Sequence, residues 1–153
     1  MTPLKIVIRL DEQRLYLCRG DGVLQSYPIS SSRFGTGSEP GSLKTPIGRF
    51  EIAEKVGGDQ PLNTVFRGRK PVEADQPDWN TEADLITSRI LWLNGLEPHN
   101  ANTKERFIYI HGTNQESSLA SPASHGCIRM ANADIGRLFD AVEPGTQVLI
   151  LEG

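Results

Sequence analysis

Polar and apolar positions alternate from the first residues of the chain. Leu4, Ile6, Ile8 and Leu10 are spaced by Lys5, Val7 and Arg9, and a period of two marks a strand with one buried face. This predicts a strand over residues 4–10, turned by Asp11-Glu12-Gln13. Residues 15–18 and 23–29 predict two more strands joined at Gly20-Asp21-Gly22, whose Asp-Gly step favours a tight hairpin. The chain therefore opens as an antiparallel meander. The Ser- and Gly-rich stretch 30–44 predicts a loop, and strand character returns over 48–56, 90–96, 107–111 and 147–151. Residues 132–142 follow the helical period instead. Ile135, Leu138, Phe139 and Val142 share one face, Asn132 is the expected cap, and Pro144-Gly145 is the stop. Between the strands, residues 57–88 show weak periodicity and hold Pro61, Pro71 and Pro77. About 30 such residues inside a compact domain are often a lid or binding loop. With no repeat and no second apolar core, the pattern predicts a single mainly β domain over 1–153. It is a β-sandwich or barrel with one or two short helices and a long lid-like insertion.

Composition narrows the function classes. A length of 153 residues suits one domain and buries about two-thirds of the unfolded surface, so no disulfide or metal staple is needed. Sixteen basic against nineteen acidic residues leave a net charge of −3, which argues against nucleic acid as the main partner. No apolar run approaches the ~20 residues of a membrane span. The N-terminal apolar run Ile6-Val7-Ile8 ends at Arg9, short of the roughly 7–15 residues of a signal-peptide core. A cytoplasmic protein or a mature form is expected. Cys18 and Cys127 lie far apart in sequence and are a weak disulfide signal.

The candidate chemistry gathers late in the chain. Tyr109-Ile110-His111-Gly112-Thr113 places a histidine at the end of an apolar strand, followed by Ser124-His125-Gly126-Cys127-Ile128-Arg129. Polar, partly cationic surroundings of this kind lower a thiol pKa. A histidine brought close can take the thiol proton and return it to a leaving amine. Gly126, lacking Cβ, lets a carbonyl approach the sulfur, and backbone N–H groups around Cys127 are placed to meet an oxyanion. Each residue has a plainer reading. Cys18 on its strand reads as a small buried hydrophobe. His111 alone reads as a core histidine, His125 either orients its loop or transfers a proton, and His99 is solvated. Arg129 either pairs with a carboxylate or contacts substrate.

At these residues the chain resembles the L,D-transpeptidase catalytic domain (YkuD-type). The signature is His-Gly at a strand end, a gap, then Ser/Thr-His-Gly-Cys-hydrophobic-Arg/Asn. Lys44-Thr45-Pro46-Ile47-Gly48-Arg49-Phe50 matches that family's Thr-Pro-x-Gly-x-Phe element, and Gly145-Thr146-Gln147-Val148 its closing strand. The resemblance implies an L,D-transpeptidase-like β fold and a Cys nucleophile acting on peptidoglycan stem peptides or muropeptides. By that resemblance Cys127 attacks the carbonyl of the third stem residue, often meso-diaminopimelate. It expels D-alanine and forms a thioester, which an amine or water resolves. His111 maps onto the general base, the Gly112 carbonyl onto its partner, and Ser124, His125, Gly126 and Arg129 onto the motif. No cofactor and no metal is implied, the oligomeric state is open, and the implied location is the periplasm or cell envelope. The missing export signal leaves open a cytoplasmic alternative, an L,D-carboxypeptidase trimming recycled muropeptides.

Three other readings compete with it. His111, His125 and Cys127 with Cys18 or His99 make up a zinc ligand set, although paired spacing is absent. Gly35-Thr36-Gly37 and Gly41-Ser42-Leu43-Lys44-Thr45 lack the offsets of a phosphate loop. A non-catalytic cell-wall-binding domain is disfavoured by the intact Cys127 and both motif histidines.

Overall fold

A computed structural model describes residues 2–72, 79, 81 and 83–153. Strands β1 (Leu4–Arg9), β2 (Arg14–Arg19) and β3 (Gly22–Ser30) form the expected meander. The alternation of β1 is realised: Ile6 and Ile8 are fully buried, while Lys5 and Val7 face outward. The β2–β3 hairpin turns on Gly20-Asp21, with Gly20 at φ +59° and Gly22 already in β3. The Asp-Gly step therefore does not supply the turn; a leading glycine does.

Strands β4 (Gly48–Val56), β5 (Val65–Arg67), β6 (Lys70–Pro71), β7 (Ile86–Gly95), β8 (Tyr109–Gly112), β9 (Ile128–Met130) and β10 (Gln147–Leu151) complete the sheet. Its order is β4-β10-β1-β2-β3-β9-β8-β7, and β7 pairs back onto β4. Eight strands therefore close into a mixed barrel, whose closure removes the unpaired edges of an open sheet. Two seams are parallel, β1 with β10 and β8 with β9. The β5–β6 hairpin hangs on β7 outside the ring.

The barrel interior is one apolar core, including Ile8, Ile29, Phe50, Leu91, Leu93, Ile110, Ile128 and Ile150. The one α-helix among the described residues, α1 (Asn132–Ala141), packs Ile135, Leu138 and Phe139 onto it. Asn132 does not cap this helix. Ala131 is the N-cap residue, and the Glu116 carboxylate accepts the Asn132 N–H at 2.9 Å. An acidic group brought from a distant loop thus meets the positive end of the helix dipole. The Asn132 side chain turns inward. Its Oδ1 accepts from Thr87 and Ser88, and its Nδ2 donates to Thr113. Among the described residues no helix is long and apolar enough to cross a membrane.

The second apolar cluster lies on the opposite face of the sheet. Phe66, Ile90 and Tyr109 pack there with Val56, Ile86, Trp92 and Cys127. Alternation along β7 explains it, because Leu91 and Leu93 point into the barrel while Ile90 and Trp92 point out. The β5–β6 hairpin covers part of this outer face. The segment expected to act as a lid therefore contributes real strands, and its residues 73–78, 80 and 82 lie outside the described residues.

Candidate active site

The site is built on the parallel seam between β8 and β9. Ile110 pairs with Ile128 and His111 with Arg129. Since alternate side chains share a face, both isoleucines enter the barrel core, while Tyr109, His111, Cys127 and Arg129 project together on the outside. Cys127 sits one two-residue step before Arg129, beside Tyr109 and His111. Two motifs separated in sequence thus meet on neighbouring strands.

Each group is fixed by named partners. His111 is 1% exposed, and its Nδ1 bonds the Gly112 carbonyl at 2.5 Å. A carbonyl only accepts, so Nδ1 carries the hydrogen and Nε2 presents its lone pair. Gly112 lies in a space that a side chain would overfill. A Cβ there would meet Asn132 Oδ1 and Thr87 O, each at 2.6 Å. We expect Gly112→Ala to cost about 1–3 kcal/mol through overpacking. Urea denaturation of the two proteins measures it, and a variant as stable as wild type would contradict it.

The half-buried Cys127 accepts the Tyr109 N–H at 3.3 Å and donates to the Phe107 carbonyl at 3.4 Å. Burial pushes its thiol up to about 11, with Asp84 adding and Tyr109 N–H, Arg106 and Arg129 opposing. Burial also pushes His111 below its ordinary value, against the pull of Asp84. At neutral pH the two groups therefore rest as thiol and neutral imidazole. The cationic neighbours expected to make a thiolate are present, but desolvation outweighs them.

The loop before Cys127 is tightly held. Ser124 is fully buried, and its hydroxyl donates to the Cys127 carbonyl at 2.6 Å. Gly126 takes φ +128°, a conformation open to glycine, and its carbonyl accepts from Thr45 Oγ1 at 3.0 Å. Thr45 in turn receives the Ser32 N–H at 2.9 Å, so the Thr-Pro element near residue 45 braces the cysteine loop. His125 is exposed. Arg33 donates to its Nε2 at 3.1 Å, which leaves the hydrogen on Nδ1 facing Asp84 at 3.6 Å. Arg129 is 1% exposed, pairs with Asp84 at 2.9 Å and donates to Gln115 and Ser118.

Three contributors carried no sequence signal. Asp84 bridges Arg129 and His125 and influences both Cys127 and His111. Asn114 pins the chain leading to Asp84, donating to Trp79 O and accepting from Leu85 N–H. Arg106 lies near the thiol and donates to the Lys44 carbonyl at 2.8 Å. All three act through contacts remote in sequence, which spacing does not encode. Two expected residues stay apart from this group. Cys18 is buried on β2 and His99 is exposed, bonding Ile47 O at 3.0 Å. Among the described residues no cluster of three or more His, Cys, Asp and Glu side chains is arranged to hold a metal ion.

A cysteine and a buried, oriented histidine on the outer face of a closed mixed barrel define the class of this protein. The chain belongs to the YkuD family, the L,D-transpeptidase catalytic domain, whose family model matches residues 3–150. Its relatives carry L,D-transpeptidase names. YqjB of Bacillus subtilis is 34% identical over 108 residues, covering 71% of this chain and 52% of YqjB. YkuD of Bacillus licheniformis is 29% identical over 148 residues, covering 97% and 66%. The chain thus spans about half to two-thirds of these relatives. In fold it is similar to an L,D-transpeptidase from Mycobacterium smegmatis, with TM-score 0.65 and 18% identity over 98% of this chain and 59% of that one. L,D-transpeptidase 3 from Mycobacterium tuberculosis, solved with a faropenem-derived adduct, has TM-score 0.64 and 15% identity over 99% and 61%.

Proposed function

We propose that residues 1–153 form one catalytic domain in which Cys127 performs acyl transfer on peptidoglycan stem peptides in the cell envelope. The observation that supports this reading is the shared outer face of His111 on β8 and Cys127 directly before β9, with the imidazole oriented by Gly112. Because both groups rest neutral, attack and proton transfer are coupled. His111 Nε2 takes the thiol proton as the sulfur bonds to the carbonyl carbon between the third stem residue and D-alanine. The C–N bond then breaks, His111 returns the proton to the departing nitrogen, and D-alanine leaves a thioester on Cys127. An amine of a second stem attacks the thioester carbonyl and gives its proton to His111; the C–S bond breaks, the proton returns to the departing sulfur, and a 3–3 cross-link results. Water in place of the amine gives a trimmed tripeptide.

The remaining motif residues divide by exposure. Gly126 leaves room for the carbonyl, and backbone N–H groups at the Cys127 loop meet the developing oxyanion. Ser124 and Arg129 are sealed from substrate and act as positioning residues. His125, tied to Arg33 and Asp84, positions the same loop. Intact-mass analysis after incubation with a disaccharide tetrapeptide, or with faropenem, tests the reading. A covalent adduct on Cys127 is expected, and the muropeptide products distinguish amine from water as acceptor. D-Alanine release with no adduct under rapid quench would remove Cys127 from the pathway.

A further inference from the structure

We propose that Arg69 recognises a carboxylate of the donor peptide, an inference that rests on the acyl-transfer reading. Arg69 stands at the tip of the β5–β6 hairpin, in a loop where Gly68 and Arg69 both take left-handed φ values, +58° and +65°. Two such residues suit the tight turn, yet the second place normally goes to glycine or asparagine. An arginine held in that conformation points to a need for its side chain.

The hairpin delivers this side chain to the Cys127 face. The guanidinium lies 4.6 Å from the Trp92 ring centroid and 5.2 Å from that of Phe107. It also donates to the Tyr109 hydroxyl at 3.0 Å. Tyr109 is the residue whose backbone N–H meets the Cys127 sulfur. Tyr109 thus links the two groups, with the guanidinium at its hydroxyl end and the sulfur at its backbone N–H.

Among the described residues the charge of Arg69 has no paired carboxylate. Lys104, the other cation on the Trp92 ring, pairs with Glu54 at 3.0 Å. One of the five Arg69 N–H donors is engaged by Tyr109, and among the described residues the others meet no acceptor, which leaves most of the fork to an incoming group. A planar cation backed by aromatic rings suits bidentate binding of a carboxylate. A stem tetrapeptide offers two near the scissile bond, the terminal one of D-alanine and the side-chain one of the diamino acid.

The test uses Arg69→Gln, with Arg69→Lys beside it, and three donors: the free tetrapeptide and forms amidated at either carboxylate. Arg69→Gln should raise KM for the free donor roughly 10- to 100-fold, as expected for one lost charge-assisted interaction. Alkylation of Cys127 by iodoacetamide, which carries no carboxylate, should keep its wild-type rate. One amidated donor should lose the same factor on wild type and nothing further on Arg69→Gln, which identifies the carboxylate. Arg69→Lys should fall between. An unchanged KM, or equal losses from amidation with and without the guanidinium, overturns the assignment while leaving acyl transfer standing. Wild-type protein that releases no D-alanine from the free donor overturns both.

Discussion

Replacing Cys127 with alanine is expected to reduce D-alanine release by about 10⁴-fold or more, because the covalent route disappears with its nucleophile. The fold should survive. The side chain is half-buried at the margin of the outer cluster, and its loop is held by Ser124 and Thr45 through backbone carbonyls that the substitution leaves in place. The cost should be about 1 kcal/mol, typical of a small truncation away from the main core. Cys18→Ala serves as the control and should retain turnover within about twofold, since Cys18 is buried on β2 apart from the site. D-Alanine quantified by a coupled oxidase assay, alongside thermal denaturation, measures both effects. Near-normal release from the folded Cys127→Ala protein would end the thioester mechanism.

The barrel was readable wherever a strand was long enough to show its period. Gly48–Val56 and Gln147–Leu151 fall within the expected bounds, and the helical face Ile135, Leu138, Phe139 packs on the core as its spacing implies. Ile128–Met130 went unrecognised as a strand because three residues are too few for a period, and it matters most, since it carries the cysteine side of the site. The β5–β6 hairpin was hidden for a related reason. Its strands have three and two residues, and they owe their form to pairing with β7 rather than to local pattern.

Chemistry was legible as residue types and illegible as states. His111, Gly112 and Cys127 announced themselves through motif spacing, and the Gly112 carbonyl indeed meets His111 Nδ1. Whether the thiol ionises depends on a competition between nearby cations and lost hydration, and the second quantity exists only once β8, β9 and the hairpin have folded together. Counting Arg and His neighbours in the sequence sees one side of that competition. Asp84 shows the same limit. It reaches Arg129 because Asn114 holds the preceding chain, and nothing local marks either residue.

The second large effect should come from His111→Gln, with a fall of about 10²–10⁴-fold in kcat/KM, the usual worth of a positioned proton acceptor. The loss follows from the resting state of the site. With the thiol pushed up to about 11, almost no thiolate exists at neutral pH, so attack depends on a base that accepts the proton during bond formation. Glutamine offers no basic nitrogen. The pH profile separates this role from a structural one. Protonating His111 removes the acceptor, and burial holds its pKa below the ordinary 6.5, so the acid limb of wild-type kcat/KM should lie below pH 6.5. That limb should vanish in the residual activity of His111→Gln. Stability should shift in the same window. Below pH 6.5 the unfolded chain protonates this histidine while the folded protein resists, so the unfolded state binds more protons and wild-type stability falls as pH drops toward the lowered folded value. The glutamine variant loses that contribution. An unchanged acid limb in His111→Gln would assign the proton transfer to another group, with His125 the next residue to replace.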